Sequence, residues 1–511
     1  MSTGARYVTD LIDACERYAD RPAFGSGSWV LTYSEVLDRT YRLAGALADL
    51  GIRRGSGLAC VTAGNPPESL LVRLAAHVLG ARLTHVCVGP TTHGLDHLLR
   101  DCAPALVVHD TPVPPGPGAR TGLAALLESA SAREALPVEV AARDGDVARV
   151  TYTGGTTGRP KGVASTFAAM AARTATRTDS PGSPGSAPLT FVSTDSLSQR
   201  SGGRCLEQLR IGGRSEILHP FGTREFAEAC RRLGPAATYL TPSMLYRLLD
   251  DPETADGVPG LVRVSYGDSP VHPERLRRAL TRWGPGVRWT QGYGMNEAGV
   301  LSRLSPADHD AAATDRPHLL GSVGRPAPGV EVEVRGAAPG ATGEVWVRSP
   351  MVMAGYRNQP ALTAEVLHDG WLRTGDVGHV DADGYLYLDD RVKDVVMVHG
   401  ANIYCGPIET ALTRHPAVAR AAVVGRTDPL TGEAVCAFLV PAPGHTPTEE
   451  AAAEACALVA AELAPGQRPA AVFWLPALPL TDRGKPDKRR LREIAAAPSR
   501  PAPRGSDGAT A

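Results

Sequence analysis

The sequence predicts a layered α/β fold followed by a smaller α+β domain, and three observations carry that reading. Short buried-strand signals alternate with helical signals through the early part of the chain. Strict apolar–polar alternation replaces them at Val330, and a region from about Val395 mixes strands with one Ala-rich helix. The first pattern suits a largely parallel sheet between helices, the second a small antiparallel sheet.

The elements follow in order. Thr32 and Glu35 form a T-x-x-E capping box. Val36, Leu43, Leu47 and Leu50 then recur at helical spacing, and Gly51 stands where that helix should stop. Leu58–Thr62, Ala105–His109 and Val147–Tyr152 read as strands, with Ser165 opening a helix after the last of them. Thr178–Pro188, rich in Pro, Gly and Ser, reads as a surface loop. Val330–Val334 and Gly343–Arg348 alternate as antiparallel strands. Ala421–Val424 and Val435–Val440 are further strands, Glu449–Leu463 is a helix, and Pro498–Ala511 is a disordered tail.

Composition narrows the function. The 511 residues exceed a single core and suit about three or four domain-sized units. Apolar residues make up 43% and charged residues 21%, which excludes bulk disorder. A net charge of -1 without a basic block gives no expectation of a nucleic-acid or membrane partner. The first residues carry Asp10, Asp13, Glu16 and Asp20 and no signal-peptide core, and no apolar run spans a bilayer. The expected location is the cytoplasm. The nine cysteines are scattered without a C-x-x-C pair, so they read as small buried groups and not as zinc ligands or disulfides.

Chemistry concentrates in five segments. Thr151-Tyr-Thr-Gly-Gly-Thr-Thr-Gly-Arg-Pro-Lys-Gly-Val163 places a Gly/Thr loop after a strand. Glycines let backbone N–H groups approach an anion and hydroxyls add donors, so the loop suits a polyphosphate, although no Walker pattern fits it. Its bland reading is a Gly-rich turn with surface threonines. Gln291-Gly-Tyr-Gly-Met-Asn-Glu297 contains only a weak G-x-G signal. Trp371-Leu-Arg-Thr-Gly-Asp376, Asp389-Asp-Arg-Val-Lys-Asp394 and Pro479–Arg492 complete the set. Alone, Asp376 or Lys485 would read as a solvated charge; five such segments in this order do not.

Together they resemble the adenylate-forming superfamily of acyl-CoA synthetases, peptide-synthetase adenylation domains and luciferases. The resemblance covers about residues 150 to 492, with Gly155 where a serine is usual and Asn296 where a threonine is usual. It implies a large N-terminal domain of layered α/β subdomains with a small β-barrel-like part (1–391), a hinge (392–394, with Lys393 at its centre), a small mobile C-terminal domain (395–495) and a tail (496–511). It implies that Thr153, Gly154, Gly155, Thr156, Thr157, Gly158 and Lys161 hold the phosphates of ATP. Gly267, Tyr293, Gly294 and Met295 belong to the nucleotide site on the same grounds, with Tyr293 packing on adenine. Asp376 and Arg391 meet the ribose, Asn296 lies near the α-phosphate, and Glu297 holds Mg²⁺, for which a carboxylate is a suitable hard ligand. Lys485 is the catalytic lysine of the first step. In the family the small domain then rotates and brings in another face, here His399–Tyr404, for attack by a thiol.

The acid pocket departs from the usual pattern. Phe191–Gly203 stands where an aromatic- and His-containing run is expected, with Gln199 at the His place, and Tyr266-Gly-Asp-Ser-Pro270 replaces a G-G-x-P segment. Gln199, Arg200, Asp268 and Gly292 are therefore candidate pocket residues, with Asp195 and Arg204 beside them. Solvated loop charges are the bland alternative. The expected function is activation of a small polar or aromatic acid by ATP, with transfer to a thiol, foremost CoA. Three alternatives stand beside it: loading of a separate carrier protein, activation of nitrite for diazotisation, and a non-catalytic ATP-binding homologue.

Overall fold

The computed structural model describes residues 4–88, 94–153, 160–175, 188–338, 340–399, 401–463, 467–481 and 485–496. Gly154, Gly155, Thr156, Thr157 and Gly158, the Pro/Gly/Ser stretch up to residue 187, and the tail from residue 497 lie outside the described residues. The chain divides into two compact units. The first comprises Met1–Gly340, Val345–Thr374 and Val380–Tyr387; the second comprises Ala341–Glu344, Gly375–His379 and Leu388–Ala511.

The first unit contains two large sheets. One has seven strands in the order Gly355–Tyr356, Lys161–Thr166, Val147–Thr153, Arg82–Val88, Gly57–Ala63, Leu106–His109 and Ala119–Gly122. Its members from Val147–Thr153 to Ala119–Gly122 run parallel. The other has nine strands, with a parallel centre of Arg288–Met295, Leu261–Gly267, Ala236–Leu240, Thr190–Ser193 and Ser215–Ile217. Antiparallel strands Gly299–Leu304 and Trp29–Thr32 lie toward its two edges. Strands such as Ala236–Leu240 are buried at every residue, as a sheet covered on both faces requires.

Local signals set several boundaries. The Thr32 hydroxyl accepts from the Glu35 N–H while the Glu35 carboxylate accepts from the Thr32 N–H, and the helix Tyr33–Asp49 follows. Gly51, at φ +85°, takes the left-handed turn that ends it. One boundary differs from expectation. Ser165 belongs to the strand Lys161–Thr166, which pairs antiparallel with Val147–Thr153, and the helix starts only at Phe167. The reason is local: Thr166 Oγ1 accepts from the Ala169 N–H, the capping geometry that starts the helix there.

A further sheet, ordered Glu331–Arg335, Gly343–Arg348, Trp371–Val380 and Leu367–His368, carries Leu386–Arg391 on Trp371–Val380. The second unit has its own sheet, in which Val418–Asp428 and Gly432–Pro441 form a long hairpin. Val396–Val398 and Ala471–Trp474 also pair with Gly432–Pro441, the latter in parallel. Cys405–Leu412 and Glu449–Glu462 cover one apolar face, and Lys488–Ala496 covers the other through Leu491 and Ala495. All nine cysteines are unpaired and eight are buried, as their scatter suggested.

Candidate functional site

In an open parallel sheet, ligands meet the crevice at the carboxyl ends of the strands. In the nine-stranded sheet that edge carries Thr194 and Asp195 after Thr190–Ser193, Thr241 after Ala236–Leu240, and Asp268 after Leu261–Gly267. Asn296 and Glu297 follow Arg288–Met295. Residues up to 103 positions apart in sequence, Thr194 and Glu297, are thus brought to one edge by strand register.

The nucleotide-side candidates sit close to backbone. Gly267 is opposite Gly292 in register, and a side chain on Gly267 would meet the Gly292 carbonyl at 2.4 Å. Gly294 is held in the same way, 2.2 Å from the Gly299 carbonyl for any added Cβ. Tyr293 pairs with Ser302 across the antiparallel edge, and a register shift follows before Gly294–Met295. Arg173, from the helix Phe167–Ala175, donates to the carbonyls of Asn296 (2.8 Å) and Met351 (3.2 Å). The Glu297 carbonyl accepts from the Met353 N–H at 2.6 Å, and its carboxylate accepts from the Tyr356 hydroxyl at 3.1 Å. Lys161 Nζ lies 5.3 Å from the centre of the Tyr356 ring. The turn bearing Asn296 and Glu297 is therefore clamped by Arg173 and Tyr356, neither of which any motif flagged. Thr153 closes its strand directly before the Gly/Thr loop.

The acid side is built around Arg200. It begins the helix Arg200–Arg210, directly after Gln199 at the N-cap, and donates to Asp268 Oδ1 at 2.8 Å and to the Tyr239 hydroxyl. Its guanidinium lies 4.7 Å from the Tyr239 ring centre; that of Arg204, one helical turn on, lies 4.6 Å from the same ring. Arg200 is enclosed by protein on most sides, yet 32% of its side-chain surface and 42% of that of Asp268 stay open. The pair is therefore partly open to solvent. Asp268 holds φ +81°, a strained left-handed conformation for a non-glycine residue, and such strain collects at ligand sites. The same sheet face also holds a small cavity of about 30 Å³, lined among others by Phe191, Arg204, Arg263 and Ser265. Arg204, whose guanidinium also lies against the Tyr239 ring, lines this cavity too.

These charges act on one another. Burial, then the nearby Asp268 carboxylate, pushes the Asp195 carboxyl above its usual range, against the Ser196 N–H, Arg200 and His219. Burial likewise raises the Tyr239 phenol, to about 12. Asp195 is also fixed from its backbone, since its carbonyl accepts from the Asn65 amide at 2.9 Å while Asn65 Oδ1 accepts from the Leu197 N–H.

Within the second unit, Asp376 is 4% exposed and pairs with Arg391 Nε at 2.7 Å. Lys393 lies in a turn closed by the Asp394 N–H on the Arg391 carbonyl, and Asp394 is anchored by Arg492 at 2.6 Å. Lys485 is tied to Thr481: the Thr481 N–H donates to the Lys485 carbonyl at 2.7 Å, and the Lys485 N–H donates to Thr481 Oγ1. Three residues on, Lys488 pairs with Glu409 at 3.1 Å, tying the segment to the helix Cys405–Leu412. No motif marked Glu409.

Among the described residues no three His, Cys, Asp or Glu side chains gather as a metal site. A carboxylate such as Glu297, assisted by phosphate oxygens and water, still fits Mg²⁺, which seldom uses an all-protein cage. Among the described residues no helix is long and apolar enough to cross a membrane.

Comparison with known proteins adds an independent line. A family model described as AMP-binding enzyme matches residues 11–357, and one described as AMP-binding enzyme C-terminal domain matches 407–485. The medium/long-chain-fatty-acid–CoA ligase FadD8 of Mycobacterium tuberculosis is 32% identical, covering 94% of this chain and 89% of its own. The indoleacetate–CoA ligase of Aromatoleum aromaticum is also 32% identical, covering 91% and 93%. Among solved structures, the amide bond synthetase McbA from Marinactinospora thermotolerans superposes with a TM-score of 0.84 at 33% identity, covering 96% of this chain and 99% of that one.

Proposed function

Because the chain belongs to the AMP-binding enzyme family and is an AMP-forming ligase, we propose that it activates a small polar or aromatic acid as its AMP derivative and passes the acyl group to the thiol of CoA. One observation carries the substrate class: Arg200 and Arg204 clamp Tyr239, and Arg200 is tied to Asp268, at the carboxyl edge of the sheet. An alkyl tail entering there would desolvate charged groups without offering them partners, at about 1–3 kcal/mol per group. A ligand with matching hydrogen bonds avoids that cost, and a site built this way rejects analogues lacking them.

In the first step an acid oxygen attacks the α-phosphorus and pyrophosphate leaves. Both partners are anionic, so the protein's task is positioning and charge neutralisation. We assign the Gly/Thr loop and Lys161 to the phosphates, Lys485 to the acid oxygen and α-phosphate, and Asp376 with Arg391 to the ribose. Glu297 would hold Mg²⁺, which supplies neutralisation of the departing charge. No general base is needed, since a carboxylic acid is already ionised at neutral pH. In the second step the thiol attacks the carbonyl carbon, AMP leaves, and the thiol proton passes to solvent. The hinge role belongs to Lys393.

The CoA ligases among the relatives support a thiol acceptor. The likeness to an amide bond synthetase favours a second reading, in which an amine takes the acyl group. ATP–pyrophosphate exchange over aliphatic, hydroxy- and aminobenzoic acids and nitrite identifies the acid; product analysis with CoA or amines then identifies the acceptor. Exchange that rises steadily with alkyl length and ignores the polar acids would overturn the substrate class.

A further inference from the structure

Next to the helix that begins at Arg200, the interior of the first unit carries positive charge with no carboxylate beside it. The helix Glu68–Val78 is buried from Ser69 to Val78, and Ser69, Arg73 and His77 recur on one stripe of it. Arg73 is 2% exposed and His77 0%; Arg149, on the strand Val147–Thr153, is 9% exposed. A terminal nitrogen of Arg73 meets the Tyr7 hydroxyl at 3.4 Å, while the Nε atoms of both Arg73 and Arg149 lack hydrogen-bond partners. Among the described residues neither guanidinium pairs with Asp or Glu.

The groups share one locale. Burial first, then Arg73 and Arg149, hold His77 well below its ordinary range and His85 at about 3, so these imidazoles stay neutral and add no charge. Arg149 is itself lowered to about 9, by burial and then by Arg73 and Arg173, with Tyr7 acting in the opposite sense. It therefore remains charged at neutral pH. An unpaired buried charge costs several kcal/mol, and a guanidinium does not shed its proton to escape.

We propose that Arg73 and Arg149 hold a small inorganic monoanion of halide size between the helix Glu68–Val78 and the strand Val147–Thr153. The surroundings limit its size. The His77 ring packs edge-on against Tyr7 at 5.7 Å and Phe167 at 5.3 Å. On another side, a side chain on Gly202 would meet the Leu197 carbonyl at 2.0 Å and an Arg73 nitrogen at 3.3 Å. The stripe adds neutral donors suited to an anion, since Ser69 Oγ is buried without a partner.

The test uses the full chain, melted in sodium bromide, sodium chloride or sodium gluconate at matched ionic strength, together with crystals soaked in bromide. The expected results are a saturable rise of a few degrees in bromide and chloride over gluconate, as binding to the folded state alone requires, and an anomalous bromine peak beside Arg73 and Arg149. Arg149→Met removes the charge but keeps an unbranched apolar chain, so it should fold and lose the halide response; Arg73→Met should do the same. If Arg149→Met fails to fold, the bromine peak in the wild type decides. Equal melting in halide and gluconate, no peak at the two arginines, or an undiminished response in folded Arg149→Met overturns the proposal.

Discussion

Replacing Arg200 by alanine should invert the substrate preference while leaving the fold in place. The side chains of the Arg200–Asp268 pair are 32% and 42% exposed, so the pair is worth closer to the ~0–1 kcal/mol of a surface bridge than to a buried one. Melting should fall by no more than a few degrees. Binding is affected more. A hydrogen bond from a charged donor to the acid is worth roughly 1.5–3 kcal/mol, so kcat/KM for hydroxy- and aminobenzoates should drop about 10- to 100-fold. Removing the guanidinium also takes a charged, hydrogen-bonding group away from the Tyr239 ring, which stays against Arg204. Each methylene then buried contributes about 0.8 kcal/mol, or roughly a fourfold gain per carbon. The assay is ATP–pyrophosphate exchange with the benzoates and a four- to ten-carbon series, in wild type and Arg200→Ala. A ratio of polar to alkyl acids that is the same in both, with folding intact, refutes the reasoning and returns these side chains to solvent.

Lys485→Ala should cut adenylation by ~10²-fold or more while a supplied acyl-adenylate still reacts with the acceptor; equal losses in both half-reactions would count against its role. Lys393→Pro fixes φ and removes a backbone donor, so the second half-reaction should fall steeply with adenylation kept, and wild-type rates in both would move the hinge elsewhere. His309 should make stability fall in mild acid. Its Nδ1 faces the Ser305 carbonyl at 2.7 Å and so carries the proton, its Nε2 accepts from the Tyr266 hydroxyl at 2.8 Å, and burial first of all lowers it from 6.5 to about 4. The unfolded chain takes up a proton through that window and the folded chain does not. The contribution is thus present above pH 6.5 and lost toward pH 4, on the order of 3 kcal/mol. Melting scans from pH 7.5 to 4.5 should show a shallower loss for His309→Gln, and identical slopes would assign the effect to other groups.

What the sequence disclosed depended on how local the determinant is. The capping box at Thr32 and Glu35 and the left-handed Gly51 are settled within a few residues, and the structure has both. The start of the helix after the Gly/Thr loop was misplaced because Ser165 is held in a strand by pairing with Arg149, a partner sixteen residues back. The segments we assign to the nucleotide stand out in the sequence because a phosphate or ribose demands particular residue types within a short loop. Tyr239 was not legible, since it lies inside an all-buried strand with nothing to separate it from core aromatics. Arg173 and Glu409 were missed for a related reason: their partners, Asn296 and Lys488, are 123 and 79 positions away.

That difference bears on how such an enzyme can change substrate without losing chemistry. Gly267 and Asp268 are adjacent, yet they answer to different constraints. Gly267 is fixed by the Gly292 carbonyl, which leaves no room for any side chain at that strand end. Asp268 is constrained only by its left-handed backbone, which asparagine or glycine also tolerates, and by Arg200, which can vary with it. Charge at position 268 can therefore be exchanged together with position 200 while the backbone at Gly267 and Gly292 stays in place. Relatives about a third identical over nearly the whole chain carry names as different as a fatty-acid ligase and an amide bond synthetase. On our assignment, such spread is what this separation permits: the motif residues serve the shared reaction, and a few strand-end and helix positions brought together only by the fold are the ones proposed to select the acid.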